Sequence, residues 1–317
     1  MPPACPDILE RLLMINGLLV HSVSYSGSWG QPRLTLDAFI DHAADLGFDG
    51  VMLMAKRPHL SMLDYHPDCR RRLRDRIEKR GLRKVCLAGY TNLTADLAHP
   101  DIPQYELQVA HIVELARAAH DLGAASVRIF TGYEDHAVSF QRQWDLVAAA
   151  LREAADRAAE FDVTIGVQNH HDIAVDFASL GDLIVEVDRP NCRAMFDAWA
   201  PALQGEDIAE AARQIAPLTV HTTVANYKKR PRYRYNPSLV NYETQPSRAQ
   251  AAPMDQGFID YPAFFRALED GGFKGTVAYE MCSPLLGGAT LGNLDRYAAA
   301  FLEFMHARCG VIGATRE

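Results

Sequence analysis

Four residues able to bind a metal or move a proton close four successive short apolar runs in the second half of this 317-residue chain. They are Gln168 in 164–170, Asp197 in 193–197, His221 in 219–223 and Glu280 in 276–280. In a strand, alternate residues point to opposite sides. Placing the β-branched Ile165, Val167 and Val220 on the outer side turns Gln168, His170 and His221 inward. By the same alternation Asp197 shares a face with Arg193 and Met195, and Glu280 with Thr276 and Ala278. Two carboxylates, an imidazole and an amide oxygen make a mixed O/N set suited to one divalent cation. Mn²⁺ is the first choice, with Mg²⁺, Co²⁺ or Zn²⁺ as alternatives. Without a cation the two carboxylates would repel each other in a mouth of low dielectric.

Something must bring four strand ends together. An amphipathic stretch, a Gly or Asp break and a short β-branched run recur along the whole chain. Leu36 to Leu46 places Leu36, Phe39, Ile40, Ala43 and Ala44 on one helical face, and Gly47 ends it before the run at Val51. Eight strand candidates begin near Leu18, Val51, Lys84, Ser126, Val163, Arg193, Leu218 and Gly275. Their spacing is mostly about 25 to 42 residues, the size of one βα unit. Eight such units predict a single (β/α)₈ TIM barrel over 1–317. A doubly wound sheet is the competitor, but no G-x-G-x-x-G or Walker loop follows the first strand.

One interval breaks the rhythm. Between the seventh and eighth strands lies an excess segment, 226–257, expected as a long inserted loop on the active-site face. It holds Lys228, Lys229, Arg230, Arg232, Arg234 and Arg248 against Glu243 and Asp255, together with Tyr227, Tyr233, Tyr235 and Tyr242. A basic, tyrosine-rich insert in an acidic chain points to substrate enclosure or to a contact with another subunit.

The composition excludes other classes. With 48% apolar and 23% charged residues and a formal charge of −8, the chain has a globular composition and is no general nucleic-acid binder. No apolar run approaches the roughly 18 residues of a membrane span. The run 12–20 follows Asp7, Glu10 and Arg11 and is broken at Asn16-Gly17, unlike a secretory signal, so the expected location is the cytoplasm. Cys5, Cys69, Cys86, Cys192, Cys282 and Cys309 show no C-x-x-C spacing and are expected as reduced thiols.

The segments 123–132, 167–170, Phe196-Asp197, Val220-His221 and 277–280 resemble the xylose-isomerase-like sugar phosphate isomerase/epimerase superfamily, over nearly the whole chain to about Phe304. That group uses a (β/α)₈ barrel and one divalent metal held by Glu, Asp, His and Glu at the ends of strands five to eight. The last three ligands carry over to Asp197, His221 and Glu280. The first does not match, because Gln168 stands where the family has Glu. Ala200 also stands where many epimerases carry a substrate-binding His, and the extra His and Asp ligands of endonuclease IV are missing.

An amide can ligate through oxygen but cannot take a proton, so Gln168 disfavours epimerisation by two carboxylate bases. One-base chemistry survives: isomerisation of a sugar, or β-elimination from a 3-keto-glycoside, both beginning with proton loss beside a polarised carbonyl. Glu280 is the first candidate base, with His170, His59 and Lys56 as the others. Arg128 and Glu134 are candidates for binding hydroxyls, and Trp29, Tyr90 and Tyr227 for stacking on a sugar ring. The reading from another class is a barrel that has lost catalysis and binds a sugar or a protein.

Overall fold

The computed structural model describes residues 15–98 and 101–309. Cys5, Asp7, Glu10, Arg11 and the start of the apolar run at Leu12 lie outside the described residues. Eight parallel strands form the barrel: β1 (Leu18–His21), β2 (Gly50–Met54), β3 (Lys84–Ala88), β4 (Ser126–Gly132), β5 (Thr164–His171), β6 (Cys192–Met195), β7 (His221–Val224) and, after two further strands, β10 (Thr276–Tyr279). They are ordered β6-β5-β4-β3-β2-β1-β10-β7. A parallel bridge between Ala194 and Thr219, with Val220 N donating to the Ala194 carbonyl at 2.9 Å, joins the two edges and closes the ring.

A helix follows each barrel strand, and its boundaries have local causes. Thr35 Oγ1 accepts from Ala38 N to open the first helix, Leu36–Leu46, and Gly47, at φ 97°, ends it in the left-handed conformation that glycine adopts without strain. Asp176, Asp207 and Asp260 cap the helices Phe177–Val187, Ile208–Ile215 and Tyr261–Asp270 in the same way. The helices' apolar faces and the outward strand residues form the main core.

A second, smaller cluster of Leu19, Met52, Cys86, Ala88, Met195 and Ala278 fills the lower lumen. Val220, expected on the helix side, lies just ahead of β7 and packs against this lumen cluster instead. Gly166 leaves room there for Met195, whose Sδ would lie 2.5 Å from an added Cβ.

The segment after β7 is not an irregular loop. It is an antiparallel ribbon of β8 (Asn226–Asn236) and β9 (Asn241–Ala252). Its base is anchored by Asn226, whose amide donates to the carbonyls of Met254 and Ile259 at 2.7 and 3.0 Å. Five cysteines, Cys69, Cys86, Cys192, Cys282 and Cys309, are free thiols. No described helix is long and apolar enough to cross a membrane.

Candidate active site

The strand ends converge in the upper lumen on a network centred on Gln168. Gln168 Nε2 donates to Asp197 Oδ2 at 2.8 Å and to Thr223 Oγ1 at 3.1 Å, and Thr223 donates to the same Asp197 oxygen at 3.0 Å. The other Asp197 oxygen accepts from Trp199 N at 2.8 Å. Burial is the main force on Asp197 and lifts its pKa from 3.8 to about 6, with Glu280 adding to the rise and these hydrogen bonds opposing it.

The other face of the amide is occupied by a cation. Arg128, at the centre of β4, is 1% exposed and donates from Nη1 to Gln168 Oε1 at 3.0 Å. Its guanidinium carbon lies 4.1 Å from the Phe130 ring centroid and 5.1 Å from that of Tyr90. The Lys56 ammonium sits over the same Tyr90 ring at 3.8 Å. Two cations thus share one aromatic ring, an arrangement in which the ring quadrupoles offset part of the missing counter-charge. Burial, and then Arg128, lowers the Lys56 pKa.

His221 donates to or accepts from Thr276 Oγ1 at 2.7 Å through Nδ1, while its buried Nε2 has no partner. Desolvation, and next the charge of Arg128, depresses its pKa to about 3, so the ring is neutral. Glu280 Oε1 accepts from Cys282 Sγ at 3.2 Å, and its buried Oε2 is also without a partner. His21, which ends β1, was not singled out in the sequence, although it closes its strand as the other site residues do. Val23 N donates to its Nδ1, and its Nε2 lies 3.4 Å from Arg128 Nη2 and 3.9 Å from Glu280 Oε1.

Asp197, His221 and Glu280 have the donor chemistry of a divalent-cation site, and the two orphaned atoms, His221 Nε2 and Glu280 Oε2, are ones such a cation would satisfy. As the side chains stand, no three His, Cys, Asp or Glu residues among those described gather closely enough to hold a metal, because Asp197 is turned toward Gln168, Thr223 and Trp199. Gln168, expected as a fourth ligand, is engaged on both sides by protein partners. Its oxygen already accepts from Arg128, and its nitrogen is aimed at Asp197.

The remaining candidates fall into three groups. Lys56, Tyr90 and Arg128 come together as a stack, and Trp29, 46% exposed, reaches the neighbourhood of Cys282. His170 stands beside them, packed on Phe130 at 4.5 Å between centroids. Its Nδ1 accepts from His171 N at 2.8 Å, leaving its proton on Nε2, and burial lowers its pKa to about 3. It is placed to donate a hydrogen bond and is a weak base.

His59, Tyr227 and Glu134 are held elsewhere. His59 is buried with both nitrogens engaged, by Ser22 Oγ at 3.0 Å and the Leu34 carbonyl at 3.2 Å, and stacks on Phe39, so it braces the wall rather than offering a free base. Tyr227 is buried at the ribbon's base against Trp199. Glu134 lies on the rim beside His136.

A closed ring of eight βα units with its polar side chains gathered at the C-terminal strand ends defines a barrel of the enzyme-bearing kind. The chain belongs to the xylose isomerase-like TIM barrel family, whose model matches residues 40–305. Its fold is similar to a D-psicose 3-epimerase with D-tagatose from Clostridium cellulolyticum H10, at 18% identity and TM-score 0.69, covering 92% of this chain and 99% of that one. It is also similar to a D-allulose 3-epimerase from Methylomonas sp., at 17% identity and TM-score 0.68, with 94% and 98% covered. A probable 3-DHS dehydratase of Bacillus anthracis, involved in petrobactin synthesis, matches at 16% identity and TM-score 0.67, with 90% and 98% covered. No curated protein matches the chain in sequence.

Proposed function

We propose that the chain is a divalent-metal-dependent enzyme that removes a proton beside the carbonyl of a sugar or keto-sugar, in the manner of an isomerase or epimerase. The observation that carries this reading is the pair of buried, unpartnered ligand atoms, His221 Nε2 and Glu280 Oε2, in the lumen that also holds Asp197. Asp197, His221 and Glu280 would hold the cation, Mn²⁺ in the first instance, which when bound polarises the substrate carbonyl.

The chain's own residues supply the rest. Glu280 takes the proton, its carboxylate steadied by Cys282, whose Sγ donates to Oε1 at 3.2 Å. Arg128 and Lys56 bring positive charge to the oxygen that becomes negative, and Tyr90 fixes both in place. His170, with its proton on Nε2, orients a hydroxyl. Gln168 locks Arg128 to Asp197 and, being an amide, leaves the reaction with one carboxylate base.

A second reading is loss of a β-leaving group from a 3-keto-glycoside after the same proton abstraction. The similarity in fold to a probable 3-DHS dehydratase favours it. Ketoses, aldoses and 3-keto-glycosides, incubated with the Mn²⁺-loaded protein in D₂O and followed by NMR, separate the two by product. Glu280→Gln is expected to abolish exchange and His170→Asn to slow it less. Absence of exchange with every class, together with failure to retain Mn²⁺, would make the chain a non-catalytic barrel.

A further inference from the structure

The ribbon β8–β9 is built to be covered, and its own barrel does not cover it. Among the described residues no hydrogen bond, ion pair or ring contact joins 231–248 to the barrel. The register pairs Tyr235 with Tyr242 and Tyr233 with Thr244, which puts three tyrosines on one face. Arg232 and Arg234, paired with Gln245 and Glu243, take the other. The tyrosines are 63%, 50% and 65% exposed (Tyr233, Tyr235 and Tyr242), and at the tip Leu239 and Val240 are 65% and 78% exposed. A two-stranded ribbon with no third layer is marginal in water, so a bare aromatic face along an arm of this length marks a contact surface.

Charge selects the partner. The ribbon holds six Lys or Arg and one Glu, a net +5, which leaves −13 on the remainder of a chain of net −8. Part of that negative charge is concentrated on the barrel's own mouth. The segments 133–139, 172–176 and 198–207, which follow β4, β5 and β6, carry Glu134, Asp135, Asp172, Asp176 and Asp207, with Glu206 turned partly inward, and no Lys or Arg. None of the ribbon's cations pairs with a carboxylate among the described residues, so arm and rim are complementary but unjoined within one chain.

We propose that the ribbon is an arm that docks on a second copy of this chain, across the acidic rim of that copy's barrel mouth. A two-fold arrangement closes the interaction, because each copy supplies one arm and one rim. The inference stands on the ribbon and the rim alone and does not depend on the reaction proposed above.

Sedimentation velocity of the full chain tests it, from about 1 to 100 μM, at about 50 mM and about 1 M NaCl, where screening differs most. The expected result is a particle of twice the 35.2 kDa chain, with at least roughly tenfold weaker association at high salt. The triple variant Tyr233→Ser, Tyr235→Ser, Tyr242→Ser should be monomeric with an unchanged circular dichroism spectrum and melting temperature. Arg232→Glu with Arg234→Glu should also be monomeric, and adding Glu134→Lys and Asp135→Lys to the same chain should restore the dimer.

A wild-type chain that stays monomeric throughout overturns the proposal, and so does a tyrosine variant that dimerises as strongly as the wild type. A monomer that instead binds a random-sequence oligonucleotide overturns it in favour of nucleic acid. Should the rim reversal fail to fold, the arm variants, which disturb no barrel contact, decide alone.

Discussion

Replacing Gln168 with Glu turns one N–H donor into an acceptor at the centre of the lumen network. The Arg128 side of the contact survives and becomes an ion pair. On the other side an oxygen replaces the nitrogen that lies 2.8 Å from Asp197 Oδ2. Two carboxylates about 3 Å apart at an effective dielectric near 20 repel by about 5 kcal/mol, equivalent to roughly four pKa units. Asp197 is already raised to about 6 by burial, so the pair keeps one shared proton through neutral pH, as closely spaced carboxylates do. A carboxyl whose folded pKa is raised holds a proton that the unfolded chain has released. Stability therefore falls as pH climbs from the unfolded value toward the folded one. In chelator-treated protein, Gln168→Glu should lie within about 1 kcal/mol of the wild type at pH 5.5 and on the order of 3 kcal/mol below it at pH 8.5, once attraction to Arg128 has offset part of the repulsion. Urea unfolding followed by circular dichroism at the two pH values measures this. The variant should not raise the native turnover, since Glu280 remains the base. Equal stability at pH 8.5, or a higher kcat, would refute both the network and the one-base reading.

Other outcomes follow from the same geometry. His170 and His221, depressed from 6.5 to about 3, favour folding while neutral, so their contribution is full above pH 6.5 and is lost as pH falls toward 3. At pH 4.5 each has cost on the order of 3 kcal/mol of stability, and a His221→Asn chain that shows the wild-type acid slope contradicts this. Asp197→Asn should weaken Mn²⁺ binding in calorimetry and, in the chelator-treated protein, remove the fall in stability between about pH 4 and 6 that the raised carboxyl imposes; an unchanged slope across that window would disprove the strain assigned to the buried carboxylate. A Cβ at Gly275 would lie 2.0 Å from the Val220 carbonyl oxygen, so Gly275→Ala should lower stability by about 2 to 3 kcal/mol, and a neutral result in urea titration would mean that β7 and β10 can separate freely.

The barrel was legible because each βα unit repeats a local rule. The apolar stripe of Leu36–Leu46, its Thr35 cap and its Gly47 stop agree with one another, and the strand at Gly50–Met54 follows where the break ends. The ribbon was not legible as strands. Beyond Lys229 its residues are open to solvent on both faces, so the alternation of Tyr233 and Tyr235 with Arg232 and Arg234 carries no apolar-in, polar-out signal of the kind a sheet on a core produces. Its turn signal, Asn236-Pro237 before Asn241, was present but had no flanking apolar pattern to frame it.

The site shows where residue parity stops informing. Alternation in β5 turns Gln168 inward, and the lumen does receive it, yet parity cannot say which inward neighbour meets it. The signal for that neighbour lay one strand earlier. Arg128 interrupts the apolar run Val127, Ile129, Phe130 on β4, and a charge in the middle of a buried strand must be compensated from within the lumen. Here the compensation is an amide, two rings and the His21 imidazole, whose Nε2 lies 3.4 Å from Arg128 Nη2, with no carboxylate within ion-pair distance among the described residues. A carboxylate at position 168 would have paired with Arg128 and at the same time faced Asp197 at contact distance. The amide satisfies the guanidinium with its oxygen and the aspartate with its nitrogen. Its two-sided chemistry is thus what permits a buried arginine and a buried aspartate to stand side by side.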